Sequence, residues 1–135
     1  YTKLNGQVDA VWAANDTNAA AVITILDKYG KKIPISGQDS TDAALQNILL
    51  GKQSGTVNTA GNAEPVAAVK VGVDILSGKT PEFTEKQDGV PFIKVDPQTV
   101  KVDTIKDLVA SGQVKAENIC TTDELKAACA KNGIM

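Results

Sequence analysis

The sequence predicts an α/β fold, a parallel sheet flanked by helices in three layers. Two observations carry that prediction: a short apolar run followed by an amphipathic helix recurs three times before Gly78, and each helix opens on polar residues and closes at a glycine. Consecutive parallel strands need right-handed crossovers, and a helix between each pair supplies them. The 135 residues, 42% of them hydrophobic, suffice for one compact core.

The first strand reads from Val8 to Ala13 and ends at Asn15-Asp16, two favoured helix N-caps. The helix that follows places Ala19, Val22, Ile23, Leu26 and Tyr29 on one face and stops at Gly30. Trp12, inside an apolar strand, is expected in the core, with a platform on which a ligand ring stacks as the other reading. Ile33 to Gly37 forms the second strand, Gln38-Asp39-Ser40 a turn, and the next helix turns Ala44, Leu45, Ile48 and Leu49 inward before Gly51.

A third strand, Gly55 to Thr59, leads through a flexible Ala60-Gly61-Asn62 into a helix that begins near Ala63-Glu64-Pro65. Its apolar face is Val66, Val69, Val73 and Leu76, and Gly78 stops it. From Lys79 to Gly89 the chain is a polar connection without periodicity. Phe92 to Val95 and Thr99 to Val102 read as short strands. Two helices close the chain: Thr104 to Ser111 with Ile105, Leu108 and Val109 buried, and Thr122 to Asn132 with Thr121 or Thr122 ahead of Glu124 as a capping box.

Composition excludes whole classes of chemistry. All fourteen cations are lysines and histidine is absent, so histidine bases, Ser-His-Asp triads and His-ligated zinc are unavailable. A net charge of -2 without arginine argues against a nucleic-acid partner. No apolar stretch approaches the roughly 20 residues of a membrane span. Tyr1 opens into a polar turn, unlike an export signal, although a trimmed product would read the same way. Cys120 and Cys129, nine apart, are too few for a thiolate metal cage. They either pair or remain buried thiols, and a disulfide staple in this peripheral segment would imply an oxidising compartment.

In open α/β sheets, ligands bind beyond the carboxyl ends of the strands. Those positions hold Asn15-Asp16, Gln38-Asp39-Ser40 and Asn58-Thr59, all polar. An amide both donates and accepts, and a carboxylate accepts from two neighbouring hydroxyls, which suits a polyhydroxylated ligand. Asn15, Asp16, Asp39 and Ser40 also precede helices, so each has an equally plain role as a cap. Thr59 can equally end a strand. No nucleophile with a positioned acid/base pair accompanies them, which points to holding rather than converting.

The run Asp9-Ala10-Val11-Trp12-Ala13-Ala14-Asn15-Asp16, then Ile35-Ser36-Gly37-Gln38-Asp39, then Gly51-Lys52-Gln53-Ser54-Gly55-Thr56-Val57, resembles the second half of periplasmic sugar-binding proteins of the ribose/xylose type. Leu76-Ser77-Gly78-Lys79-Thr80-Pro81, Val90-Pro91 and Val102-Asp103-Thr104-Ile105-Lys106-Asp107 are similar to the xylose-binding branch. The resemblance implies a type I periplasmic-binding-protein lobe, with residues 1–59 and 91–135 in the C-terminal sugar-binding lobe and 60–90 crossing to the other. It implies a monosaccharide, a xylose-like pentose or related sugar, held in an interlobe cleft. Asn15 and Asp39 match sugar-contacting positions, and Thr59 matches a further contact where relatives carry a longer Gln or Lys.

The same resemblance implies a C-terminal fragment that binds sugar weakly alone and self-associates or pairs with a missing N-terminal half. Its partner would be an ABC permease, and its place the periplasm or the outer face of the membrane, where a lipid anchor could hold it. It implies no catalysis, no cofactor and no metal. Two related outputs stand beside transport: the effector domain of a sugar-responsive repressor, and a receptor signalling to a membrane sensor kinase. A phosphoacceptor reading would need Asp39 with Asp16 and Lys94 around magnesium, which the Gly37-Gln38-Asp39-Ser40 turn fits poorly.

Overall fold

A computed structural model describes residues 1–59 and 63–135, so the connection 60–62 read from the sequence lies outside the described residues. The chain divides into two compact units, Tyr1–Asn58 with Thr99–Met135, and Thr59–Gln98. The stretch 91–98 therefore goes with the second unit. Among the described residues no helix is long and apolar enough to cross a membrane.

The first unit is built on the expected strand and helix alternation. β1 (Val11–Trp12) pairs in parallel with β2 (Ile35–Ser36), in the register Val11↔Ile35 and Trp12↔Ser36. A single parallel bridge, Ser36↔Gly55, joins β2 to the start of β3 (Thr56–Asn58). β3 in turn neighbours β6 (Gln98–Val100). The strands are shorter than the apolar runs suggested, since pairing begins only at Val11, whose N–H reaches Pro34 O at 2.9 Å.

Between the strands, α1 (Asp16–Lys28) and α2 (Asp42–Leu49) behave as their periodicity dictates. Ala19, Ile23 and Leu26 of α1 pack with Ala13 and Ile35 in one apolar cluster. Leu45, Ile48 and Leu49 of α2 share a second cluster with Val100, Ile105 and Leu108. Each fully buried Leu or Ile contributes about 1.5–3 kcal/mol of transfer free energy. Tyr29 is exposed and stacks at 4.7 Å on Tyr1 instead of entering the core.

The C-terminal segment adds α4 (Ile105–Ala110), α5 (Ala116–Ile119) and α6 (Asp123–Lys131). Thr122 caps α6, its hydroxyl accepting from the Leu125 N–H at 3.2 Å. Cys120 and Cys129 are joined in a disulfide with their Cα atoms 6.2 Å apart, and both are buried beside Ile119 and Leu125. The four-residue α5 was not anticipated, because one helical turn has no periodicity to detect.

Trp12 overturns its core expectation: it is 93% exposed. Side chains alternate across a strand, so Ala13 enters the cluster under α1 while Trp12 faces the opposite way, onto a face that nothing in this unit covers.

In the second unit, α3 (Ala63–Leu76) is followed by β4 (Glu85–Gln87) and β5 (Val90–Phe92), an antiparallel hairpin. β4 and the turn fall within the stretch Lys79 to Gly89 read as a polar connection, and the strand read over Phe92 to Val95 is displaced to Val90–Phe92. The turn is Asp88-Gly89, both at positive φ, the combination whose twist suits a two-residue hairpin loop. The apolar face of α3 is not buried: Val66, Val69 and Val73 are exposed, and Leu76 is 89% exposed. A 630 Å³ trough in this unit is lined by apolar groups such as Ala67, Ala68, Val71 and Phe92, and by none of Asn15, Asp39 and Thr59.

Candidate functional site

Hydrogen bonds between neighbouring strands continue past the strand ends and tie the following loops into one rim. Ala13 N–H donates to Ser36 O at 3.2 Å, and Gly37 N–H to Gly55 O at 3.1 Å. One step further, Asp16 N–H donates to Gln38 O at 2.9 Å and Asp39 N–H to Val57 O at 2.8 Å. The loops after β1 and β2 therefore meet at the carboxyl end of the sheet, beside β3, where open α/β sheets hold ligands.

Asn15 is half-buried and caps α1, its Oδ1 accepting from the Asn18 N–H at 3.0 Å. That bond engages only the oxygen, so the amide N–H donors remain for another partner. The capping role and a ligand contact are compatible at this position.

Asp39 is exposed and holds φ at 101°, with Ser40 next to it at 53°. Neither caps α2. Thr41 does, its hydroxyl accepting from the Ala44 N–H at 3.2 Å. The cap reading of Asp39 and Ser40 is thus corrected, because the left-handed pair turns the chain before the helix begins. Two consecutive non-glycine residues at positive φ cost about 1–3 kcal/mol each. The carboxylate of Asp39 is left for solvent or ligand.

Asp16 is the opposite case. Only 2% exposed, its carboxylate accepts four hydrogen bonds: from Thr41 N–H (2.9 Å), Thr41 Oγ1 (3.4 Å), Gln53 Nε2 (3.0 Å) and Thr56 Oγ1 (2.8 Å). A buried carboxylate is tolerated when its lone pairs are satisfied in this way. Gly37 makes room for it: a Cβ there would overlap Asp16 Oδ1 and lie 2.8 Å from Gln53 Nε2. Gln53 and Thr56 belong to this arrangement and were missed as individual residues, since residues 16, 37, 41, 53 and 56 share no local pattern.

Thr59 is half-buried and opens the second unit, directly after β3. It follows by two positions Val57, whose carbonyl receives the Asp39 N–H. Before it, Asn58 is buried and its Nδ2 donates to Gln113 Oε1 at 2.7 Å. The structure joins the loops of Asn15 and Asp39 by direct hydrogen bonding, whereas Thr59 belongs to the second unit.

The comparisons with known proteins agree with this architecture. A family model described as a periplasmic binding protein domain matches residues 1–80. The D-xylose-binding periplasmic protein of Haemophilus influenzae is 33% identical over 80% of this chain and 34% of its own length. The D-galactose/methyl-galactoside binding periplasmic protein of the same organism is 27% identical over 66% of this chain and 29% of its length. A carbohydrate transporter solute binding protein from Chloroflexus aurantiacus, solved in complex with D-glucose, superposes with a TM-score of 0.73 at 28% identity, over 87% of this chain and 38% of that one. The chain spans about a third of the length of the curated relatives it matches. With the parallel βα units, the polar rim at their carboxyl ends and a family model that covers more than half of the residues, the chain belongs to the periplasmic binding protein domain family.

Proposed function

We propose that this chain is the C-terminal part of an extracytoplasmic sugar receptor that delivers a monosaccharide to an ABC permease. The sugar is a xylose-like pentose or a related monosaccharide, and Asn15, Asp39 and Thr59 contact it. In this reading the unit 1–58 with 99–135 belongs to one lobe, and 59–98 to the segment that crosses to the other. Binding stabilises a closed form that the permease recognises. No covalent step is involved.

The observation that carries the reading is Asp39. Its carboxylate caps nothing, and its backbone is held in a costly left-handed conformation by the bond to Val57 O. Strain of that kind concentrates where a ligand is bound. A carboxylate accepting from adjacent sugar hydroxyls gains charge-assisted bonds that a neutral group cannot match.

The disulfide favours an oxidising compartment over the cytoplasm of a repressor domain. The phosphoacceptor reading is disfavoured because the Asp16 carboxylate is already saturated by donors, and Lys94 pairs with Asp96 at 3.1 Å. Calorimetric titration of the longest product of the gene with D-xylose, D-galactose and D-glucose tests the proposal. Saturable binding of at least one supports it. Absence of binding to all three, in folded protein, contradicts it.

A further inference from the structure

We propose that Asp16 is a positioning residue, clamping both ends of the Gln38–Thr41 turn so that the Asp39 carboxylate is presented to sugar, while Asp16 itself touches no ligand. This inference rests on the proposed sugar contact of Asp39 and adds the group that holds it in place.

The geometry is specific to the turn. At its first residue, the Asp16 N–H donates to Gln38 O at 2.9 Å. At its last, Asp16 Oδ2 accepts from the Thr41 N–H at 2.9 Å and from Thr41 Oγ1 at 3.4 Å. Between those points lie Asp39 and Ser40, the two consecutive residues at positive φ. Left-handed non-glycine residues persist only where their surroundings over-determine them.

The other carboxylate oxygen secures the centre. Asp16 Oδ1 accepts from Thr56 Oγ1 at 2.8 Å, and the same Thr56 hydroxyl oxygen accepts from the Ser40 N–H at 3.3 Å. Gln53 Nε2 adds a donor at 3.0 Å. The Asp16 backbone thus holds the first end of the strained turn, its carboxylate holds the last, and through the Thr56 hydroxyl the carboxylate also supports the middle. Gly37 shows how close the approach is, since any Cβ there would strike Asp16 Oδ1. An asparagine at 16 offers one oxygen where two now accept, so either Thr41 N–H or the Gln53 and Thr56 donors would face an NH2 group.

A double-mutant cycle on the longest product of the gene tests the clamp, using whichever of D-xylose, D-galactose and D-glucose binds tightest. Asp16→Asn is expected to weaken binding about tenfold with Asp39 present and less than about twofold in the Asp39→Ala background. Hydrogen exchange gives a readout independent of sugar: the amides of Asp39, Ser40 and Thr41 should exchange about tenfold faster in Asp16→Asn, with those of α6 unchanged. Equal losses in both backgrounds, no loss from Asp16→Asn where Asp39→Ala weakens binding, or unchanged exchange in the turn each overturn the proposal. Unaltered affinity in Asp39→Ala sinks the site reading beneath it, and the clamp's role in binding with it. Should Asp16→Asn not fold, Thr56→Val removes a donor to Oδ1 and the acceptor of the Ser40 N–H, and the same cycle is expected to show about threefold coupling.

Discussion

The Asp16 N–H donates to the Gln38 carbonyl at 2.9 Å, joining the peptide that follows Asn15 to the peptide that precedes Asp39. The two candidate contacts therefore sit on loops whose spacing is set by one backbone hydrogen bond. A rigid sugar ring, with hydroxyls at fixed positions, is best held by groups whose own spacing is fixed before it arrives.

Asn15 and Asp39 should separate by two measurements. Each alanine variant is expected to cost about 1–3 kcal/mol of sugar affinity in calorimetry of the longest gene product. Only Asn15→Ala also removes a helix cap, so it alone should lower stability, by about 1 kcal/mol in a denaturant melt. Equal affinities to the parent would leave Asn15 a cap and Asp39 a surface turn residue.

Asp39→Gly should raise the melting temperature while weakening sugar binding. Glycine adopts φ of 101° without the penalty that a Cβ imposes, and relief of about 1 kcal/mol exceeds its extra backbone entropy. A lower melting temperature would mean that the turn is not strained.

Two glycine to alanine changes should move in opposite directions. Gly37→Ala drives a methyl group into the Asp16 carboxylate and is expected to destabilise by about 1–3 kcal/mol. Gly72→Ala, on α3, meets nothing within 4 Å and removes a poor helix former, so α3 should gain about 0.5–1 kcal/mol. Chemical denaturation read by circular dichroism compares them.

Helices α1 and α2 were readable because apolar spacing, polar caps and terminal glycines all coincide there, and every inward residue expected for α2 is buried. The hairpin β4–β5 was not, since Glu85-Lys86-Gln87 has no apolar alternation and only Asp88-Gly89 signals a turn. Trp12 was misplaced for another reason. Periodicity identifies an apolar face but not whether anything packs on it. At the site, the polar loops were legible from their positions after strands. The choice of Thr41 as cap and the burial of Asp16 depend on contacts 25 to 40 positions apart, which no local pattern reports.

The exposed indole of Trp12 gives a simple optical check. As the only tryptophan of this 135-residue chain, it should emit like indole in water and be fully quenched by iodide. A blue-shifted, iodide-resistant emission would place it in a dry environment, against the structure.

Breaking the Cys120–Cys129 bond should cost about 2–3 kcal/mol, as expected for closing a short loop. Denaturant melts of Cys120→Ser with Cys129→Ser, against the oxidised parent, measure it. Because both sulfurs are buried with Ile119 and Leu125, mild reductant should act only as the chain unfolds.

The most direct test of the central claim is a crystal structure of the longest gene product with its tightest-binding monosaccharide. The account predicts Asp39 Oδ atoms accepting from adjacent sugar hydroxyls, the Asn15 amide within hydrogen-bonding distance of the same ring, and Asp16 buried behind them without ligand contact. A sugar bound elsewhere, with Asp39 facing only water, would contradict it.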